Sequence, residues 1–379
     1  MARVLVLGAG FGGIAAATRL RTLLGPADEI VLVDRRTDFV MGLRKTWAVV
    51  GSRPLREGRR DLTTLRERGI DVRRASVEAI DPAVRRALLD GAWLDADAIV
   101  VALGADHAPD AVPGLAEHGI NVWDRANVER ARDALAALAH GRLLVGVFGT
   151  PYACPPGPFE LALLASDALR ARGAEVAVEV FGPMPIALPV VGPAESAKLE
   201  RRLDQAGIPF HSGHPATSVE AGVVHFADGR DLVFDLLLAV PPHRCPRVLV
   251  EAGLAEPGAW VEVDPHTLAT RFPGVYAVGD ATAIKLGHGL PLPKAGLFAE
   301  AEGYVVAERI SAALGGRPSA ATFGGTGVCY AETGAGRAVA INARFYADPP
   351  GADIVGPSAD AMIGKAAFET DRLTAWFGR

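Results

Sequence analysis

Three thiols, Cys154, Cys245 and Cys329, are the side chains in this 379-residue sequence best suited to redox or nucleophilic work. They are too few for a disulfide framework, and their wide spacing excludes a local zinc or haem motif. Cys154 stands in Thr150-Pro151-Tyr152-Ala153-Cys154-Pro155-Pro156-Gly157-Pro158-Phe159-Glu160. Pro158 suits the first turn of a helix, so Cys154 is expected just before a helix N-terminus. The positive end of the dipole there favours the thiolate, which is the reactive form. Glu160 then falls in the first turn, placed either to accept a proton or simply to complement the dipole. Without further context Cys154 reads equally well as a small buried apolar residue. Cys245 follows Pro241-Pro242-His243-Arg244 and reads as structural. His211 and His214, between Pro209 and Pro215, have no acid or thiol nearby in sequence and are expected on the surface rather than on a metal.

A second constellation lies at the start of the chain. Gly8-Ala9-Gly10-Phe11-Gly12-Gly13 matches G-x-G-x-x-G between a predicted strand, Arg3–Leu7, and a helix over 14–24. Glycines allow a tight turn and close approach of a pyrophosphate to the helix N-terminus. Asp34 ends the next predicted strand, where an acid accepts hydrogen bonds from a ribose. Gly8, Gly10, Phe11, Gly13 and Asp34 thus form a candidate dinucleotide site. The loop alone does not separate FAD from NAD. The segment Tyr276-Ala277-Val278-Gly279-Asp280 does: here the chain resembles the two-dinucleotide-binding-domain flavoproteins, in which a strand ending in Gly-Asp offers the aspartate to the flavin ribityl chain. The resemblance implies FAD, with Gly104, Gly279 and Asp280 among its contacts.

The predicted second βαβ unit, with a strand to Phe148, has no glycine triad. Four prolines stiffen its loop and remove backbone donors, which argues against NAD(P)H as electron donor. The stretch 154–160 instead resembles the loop of flavin-dependent sulfide oxidoreductases, the sulfide:quinone oxidoreductases and the flavin subunit of flavocytochrome c sulfide dehydrogenase. Leu292-Pro293-Lys294-Ala295-Gly296 and Gly327-Val328-Cys329-Tyr330 resemble two further segments of that family. The resemblance implies that Cys154 and Cys329 form a redox pair beside the flavin. A small sulfur substrate attacks the disulfide, and two electrons pass to FAD and on to quinone, a cytochrome or another carrier. Lys294 would stabilise negative charge on the reduced flavin. The chain departs from the family pattern in two places. Asn121-Val122-Trp123-Asp124 lacks a third cysteine, and Phe39-Val40-Met41-Gly42-Leu43 lacks one that tethers flavin, so FAD is expected to be non-covalent. The tail residues Met362, Ile363, Phe368, Leu373, Trp376 and Phe377 suit packing better than a quinone or bilayer site.

The elements that must position these groups give an α/β fold of two Rossmann-like dinucleotide-binding domains, a glutathione-reductase-like flavoprotein fold, with a small C-terminal α+β segment. The FAD domain is expected at 1–110 and 236–315, the second domain with its degenerate NAD site at 111–235, and the tail at 316–379. A hairpin turning at Gly334-Ala335-Gly336 is predicted around Cys329. Half the residues are apolar and the net charge is −5, which suits a folded soluble chain and gives no reason to expect nucleic acid. A strand begins at once, and no apolar run reaches membrane-spanning length, so a cytoplasmic location is expected. Peripheral membrane contact and a homodimer stay open. Two other functions remain in view: an NAD(P)H-dependent quinone or disulfide reductase on the same fold, and a non-enzymatic flavin-binding relative.

Overall fold

The computed structural model describes residues 1–378. The chain opens with β1 (Arg3–Leu7), α1 (Phe11–Leu23), β2 (Glu29–Asp34), α2 (Arg44–Val49), β3 (Asp71–Arg74) and β4 (Ala98–Val101). It crosses into a second unit through β5 (Ile120–Asn121), β6 (His140–Val147), α3 (Gly157–Ala171), β7 (Glu175–Phe181), β8 (Phe210–His211) and β9 (Leu236–Val240). It then returns through β10 (Val275–Ala277) and α4 (Gly296–Leu314). The tail adds β11 (Thr326–Gly334), β12 (Arg337–Arg344), β13 (Gly351–Ser358) and α5 (Ala359–Phe377).

The first sheet has the order β10-β4-β1-β2-β3 and is wholly parallel, with Leu5 opposite Val31 on one side and Ile99 on the other. Val4 to Leu7 are fully buried because both faces of the sheet are covered: Val4 and Val6 join the core under α1, and Leu5 and Leu7 join the opposite one. The chain leaves β1 towards β2 on one side and β4 later flanks it on the other. A crevice therefore opens at the carboxyl ends of β1 and β4, where such sheets bind ligands. The second sheet is also parallel, with the order β5-β9-β6-β7-β8.

The expected return to the first domain at 236 needs correction. Leu236–Val240 is an interior strand of the second sheet, paired with Leu143–Val147, because its unbroken apolar run can be buried only between two neighbours. The chain changes domain just after it, where Asp106 and His107 pair antiparallel with Arg244 and His243. The tail is α+β: β11, β12 and β13 form an antiparallel sheet, with Cys329 opposite Ile341, and α5 packs on it. No described helix is long and apolar enough to cross a membrane.

Candidate functional site: a nucleotide crevice and a cysteine cleft

The turn after β1 brings its backbone hard against β4. Gly8 has φ +103°, and a Cβ there would lie 2.2 Å from the Ala102 carbonyl oxygen; a Cβ on Gly13 would lie 1.8 Å from that of Gly8. Only glycine fits either position. No side chain caps the N-terminus of α1 at Gly10, so its first N–H groups face the crevice, as an anion-binding helix end requires. Gly8, Gly10, Asp34, Gly104 and Asp280 line this one crevice. The cradle thus fits a dinucleotide such as FAD. Asp34 accepts from Ala9 N at 2.8 Å and from Arg36, at 3.0 Å from both Nε and Nη2. Burial opposes its charge, but Arg36 outweighs burial and holds the carboxyl below its usual range. Arg36, which the sequence reading passed over, lines the crevice too. Asp280 is pushed upward by burial, against Lys294 and Lys45. Phe11 turns away: its ring packs 5.7 Å from Trp376 and 5.5 Å from Phe39, and lines a different cavity.

That second cavity, a cleft of ≈ 980 Å³ counting its open side, contains both Cys154 and Cys329. The loop carrying Cys154 is fastened by backbone. Cys154 N donates to Lys294 O at 2.7 Å, and Ala153 bridges to Lys294 in parallel register. Cys154 sits at φ +56°, a left-handed conformation that costs a side chain roughly 1–2 kcal/mol. Cys329 comes from β11 in the tail. Both cysteines are free thiols. The expected helix-end thiolate is not what the structure gives. Burial pushes the Cys154 thiol up to about 12, with Cys329 and Glu160 adding to the rise and Lys365 and Lys45 opposing it. Burial likewise pushes Cys329 up to about 11. Cys154 lines the cleft, and there desolvation opposes the thiolate more strongly than the helix dipole favours it.

Glu160 lines the cleft but is also a strut. Its carboxylate accepts from Thr46 Oγ1 at 2.7 Å and Glu332 N at 3.0 Å, and pairs with Lys365 Nζ at 2.8 Å. Lys365, buried on α5, also donates to Glu332 Oε1 at 3.0 Å, and Trp47 Nε1 donates to the same oxygen. Burial works against the Lys365 ammonium, yet the two carboxylates prevail and raise its pKa. Beside this set, Arg44 and Glu369 form a buried ion pair joining α2 to α5. The sequence reading named Glu160 and missed its partners. A signal existed: Ala361, Lys365, Glu369, Leu373 and Trp376 form one buried stripe at helical spacing, and two of them are charged.

Lys294 lies outside the cysteine cleft. Its ammonium donates to Asp280 O at 2.6 Å and Thr282 O at 3.2 Å, under the Trp260 ring at 3.4 Å, and burial lowers its pKa to about 8. It steadies the Gly279–Asp280 turn. Cys245 is a core residue, and burial pushes it up to about 11. His211 and His214 are only half-exposed, and His211 has an acid in space that it lacked in sequence, Glu179 Oε2 at 2.6 Å. Among the described residues no group of side chains could hold a metal. In the tail, Trp376 and Leu373 are buried, Phe368 lines the cleft, and Ile363 is exposed.

Residues 2–303 match the model of the pyridine nucleotide-disulphide oxidoreductases. The chain belongs to that family. Within reach of this pyridine nucleotide-disulphide oxidoreductase are the mouse mitochondrial sulfide:quinone oxidoreductase, 23% identical over 91% of this chain and 79% of the relative, and an NADH dehydrogenase-like protein of Mycobacterium tuberculosis, 26% identical over 76% and 74%. The solved sulfide:quinone oxidoreductase of Aquifex aeolicus superposes with a TM-score of 0.91, covering 100% of this chain and 92% of its own at 22% identity, and so shares the two-domain fold with its added tail.

Proposed function

We propose that this oxidoreductase binds FAD non-covalently and takes two electrons from a small sulfur compound through a Cys154–Cys329 redox pair, for delivery to quinone or another carrier. The observation that carries the reading is that two thiols from distant parts of the sequence, one from the second domain and one from the tail, line a single cleft. The mouse and Aquifex relatives support it by their names. Gly8, Gly10 and Gly13 would hold the pyrophosphate, Asp34 with Arg36 the ribose end, and Gly104, Gly279 and Asp280 the path between crevice and cleft. A flavin bound there supplies a two-electron sink.

In the oxidised form the two cysteines share a disulfide. Hydrosulfide attacks one sulfur with its lone pair; a new S–S bond forms, the Cys154–Cys329 bond breaks, and its electron pair stays on the other cysteine as thiolate. The incoming sulfur is thereby oxidised to the zero-valent level and remains as a persulfide. The thiolate carries the two electrons onward. Burial raises both thiols, and displacement from the disulfide releases a thiolate without either thiol first having to ionise. Glu160, tied up by Lys365, Thr46 and Glu332, fixes the helix after Cys154 to the strand that bears Cys329. Lys294 holds the turn that presents Asp280.

The test is an anaerobic titration with sulfide, read by the flavin's visible absorbance, with NADH in parallel. Sulfide is expected to bleach the flavin and NADH to leave it oxidised. Cys154→Ser and Cys329→Ser should each abolish bleaching by sulfide; normal bleaching in both would remove the disulfide route. Reduction by NADH alone would make the chain a pyridine-nucleotide reductase, in line with its mycobacterial relative.

A further inference from the structure

We propose that Lys45 is the anion receptor of the cysteine cleft, drawing a singly charged sulfur nucleophile such as hydrosulfide to Cys154, whose sulfur takes the new S–S bond while Cys329 leaves as thiolate. The proposal rests on the cleft being the site of sulfur chemistry.

Lys45 lies on α2 between two residues already committed elsewhere. Arg44 pairs with Glu369, and Thr46 donates to Glu160. The Lys45 side chain lines the cleft. Its Nζ donates to Trp123 O at 2.6 Å and lies 5.8 Å from the centre of that indole. Trp123 reaches the other way as well: its Nε1 donates to Ala153 O at 2.7 Å, one residue before Cys154. The ring also covers Gly157, where an added Cβ would lie 2.9 Å from the indole and 3.3 Å from Cys154 Sγ. One tryptophan thus holds the ammonium by its carbonyl and the thiol's loop by its indole.

The charge pattern of the cleft gives this ammonium its role. Among the described residues that line it, Lys45 is the sole cation and Glu160 the sole acid. Lys365 already compensates Glu160 from within the protein. Among the described residues Lys45 has no comparable partner: an ammonium has three donors, and its one hydrogen bond there goes to a carbonyl. Burial lowers its pKa, while Cys154, Asp124 and Asp280 favour the charged form and Arg36 opposes it. On the thiol's side the groups are Cys329, Glu160, Lys365 and Lys45 itself. An arriving anion offsets the desolvation cost of the half-buried ammonium, so protonation of Lys45 and anion binding support each other. The remaining lining is largely apolar, which leaves a small anion few other polar groups to bind.

The experiment compares two reagents of similar size on the reduced holoprotein, anionic iodoacetate and neutral iodoacetamide, with alkylation of Cys154 read by peptide mass spectrometry. The ratio of the two rates senses the potential at the thiol and cancels changes in its nucleophilicity. Lys45→Met should lower the iodoacetate-to-iodoacetamide ratio by about 10-fold, and Lys45→Arg should keep it near the native value. Lys45→Gln, which keeps a donor for Trp123 O, serves as the second neutral variant. In the sulfide titration the neutral variants should raise the half-saturating sulfide concentration more than they lower the limiting rate. A native ratio in a folded neutral variant overturns the assignment. If sulfide reduces the native protein while the ratio ignores Lys45, the sulfur reading stands and the receptor falls. If sulfide fails to reduce the native protein, the sulfur reading falls and this proposal with it.

Discussion

Lys365 illustrates a charge that stabilises only as part of a set. Its ammonium is almost inaccessible and bridges two buried carboxylates, Glu160 and Glu332. Removing one member of a buried ionic group leaves the others uncompensated, at a cost of about 3–5 kcal/mol. Lys365→Met should therefore lose stability of that order in urea titration, and Glu332→Gln, which removes one of the charges facing the ammonium while keeping hydrogen-bonding capacity, should lose less. The sequence showed Cys154, Glu160 and Cys329 because each sits in a short local pattern. It did not show Lys365, Glu332 or Thr46 as partners of Glu160, since only the folded chain brings β11, α2 and α5 to that carboxylate. The thiolate expectation failed for a related reason. The helix end is local and legible, whereas the desolvation that overrides it comes from the whole cleft.

Among the elements, α5 closes the cleft and joins it to the first domain. Trp376 sits edge-on to both Phe11 and Phe39, each at 5.7 Å, and donates from Nε1 to Tyr304 Oη at 3.1 Å. Trp376→Ala should cost about 3–5 kcal/mol in a denaturant titration, as for other large buried aromatics, and should speed proteolytic cutting within the tail. The parallel strands were legible because their apolar runs are continuous, and the Cys329 hairpin because its glycine turn is local. β13 was not. It carries Gly351, Gly356 and Pro357 and pairs only with β12, and an edge strand tolerates residues that hide its pattern. The domain return was misplaced because an interior strand of one sheet followed by a crossover reads in sequence like the opening strand of the next.

For the molecule as a whole, the two domains are stitched by a pair of short crossing strands whose histidines touch. The His107 and His243 rings lie 4.8 Å apart, and His243 Nδ1 donates to Pro241 O at 2.9 Å. Burial pushes His107 down to about 4, with Lys45 adding to the fall and Asp124 opposing it. Burial pushes His243 down to about 3, helped by His107, Lys45 and Lys294. Both are neutral when folded, while an unfolded chain binds protons at each below pH about 6.5. Their contribution to stability is thus complete above about 6.5, falls away progressively as pH drops below that, and is gone once pH falls below 4 and 3. Replacing both by Gln should flatten the acid side of a stability-versus-pH curve in this window and leave it unchanged above pH 7.

The attachment of the Cys154 loop has one more implication. The fastening uses Cys154 N, the backbone of Ala153 and Lys294, and the Trp123 indole donating to Ala153 O, with no role for the sulfur atom. The reactive atom is therefore an interchangeable part on a fixed mount. Selenium can take the place of sulfur, or oxygen the place of either, with the mount still held by the peptide groups around it. A frame built this way lends itself to new chemistry by replacement of a single atom.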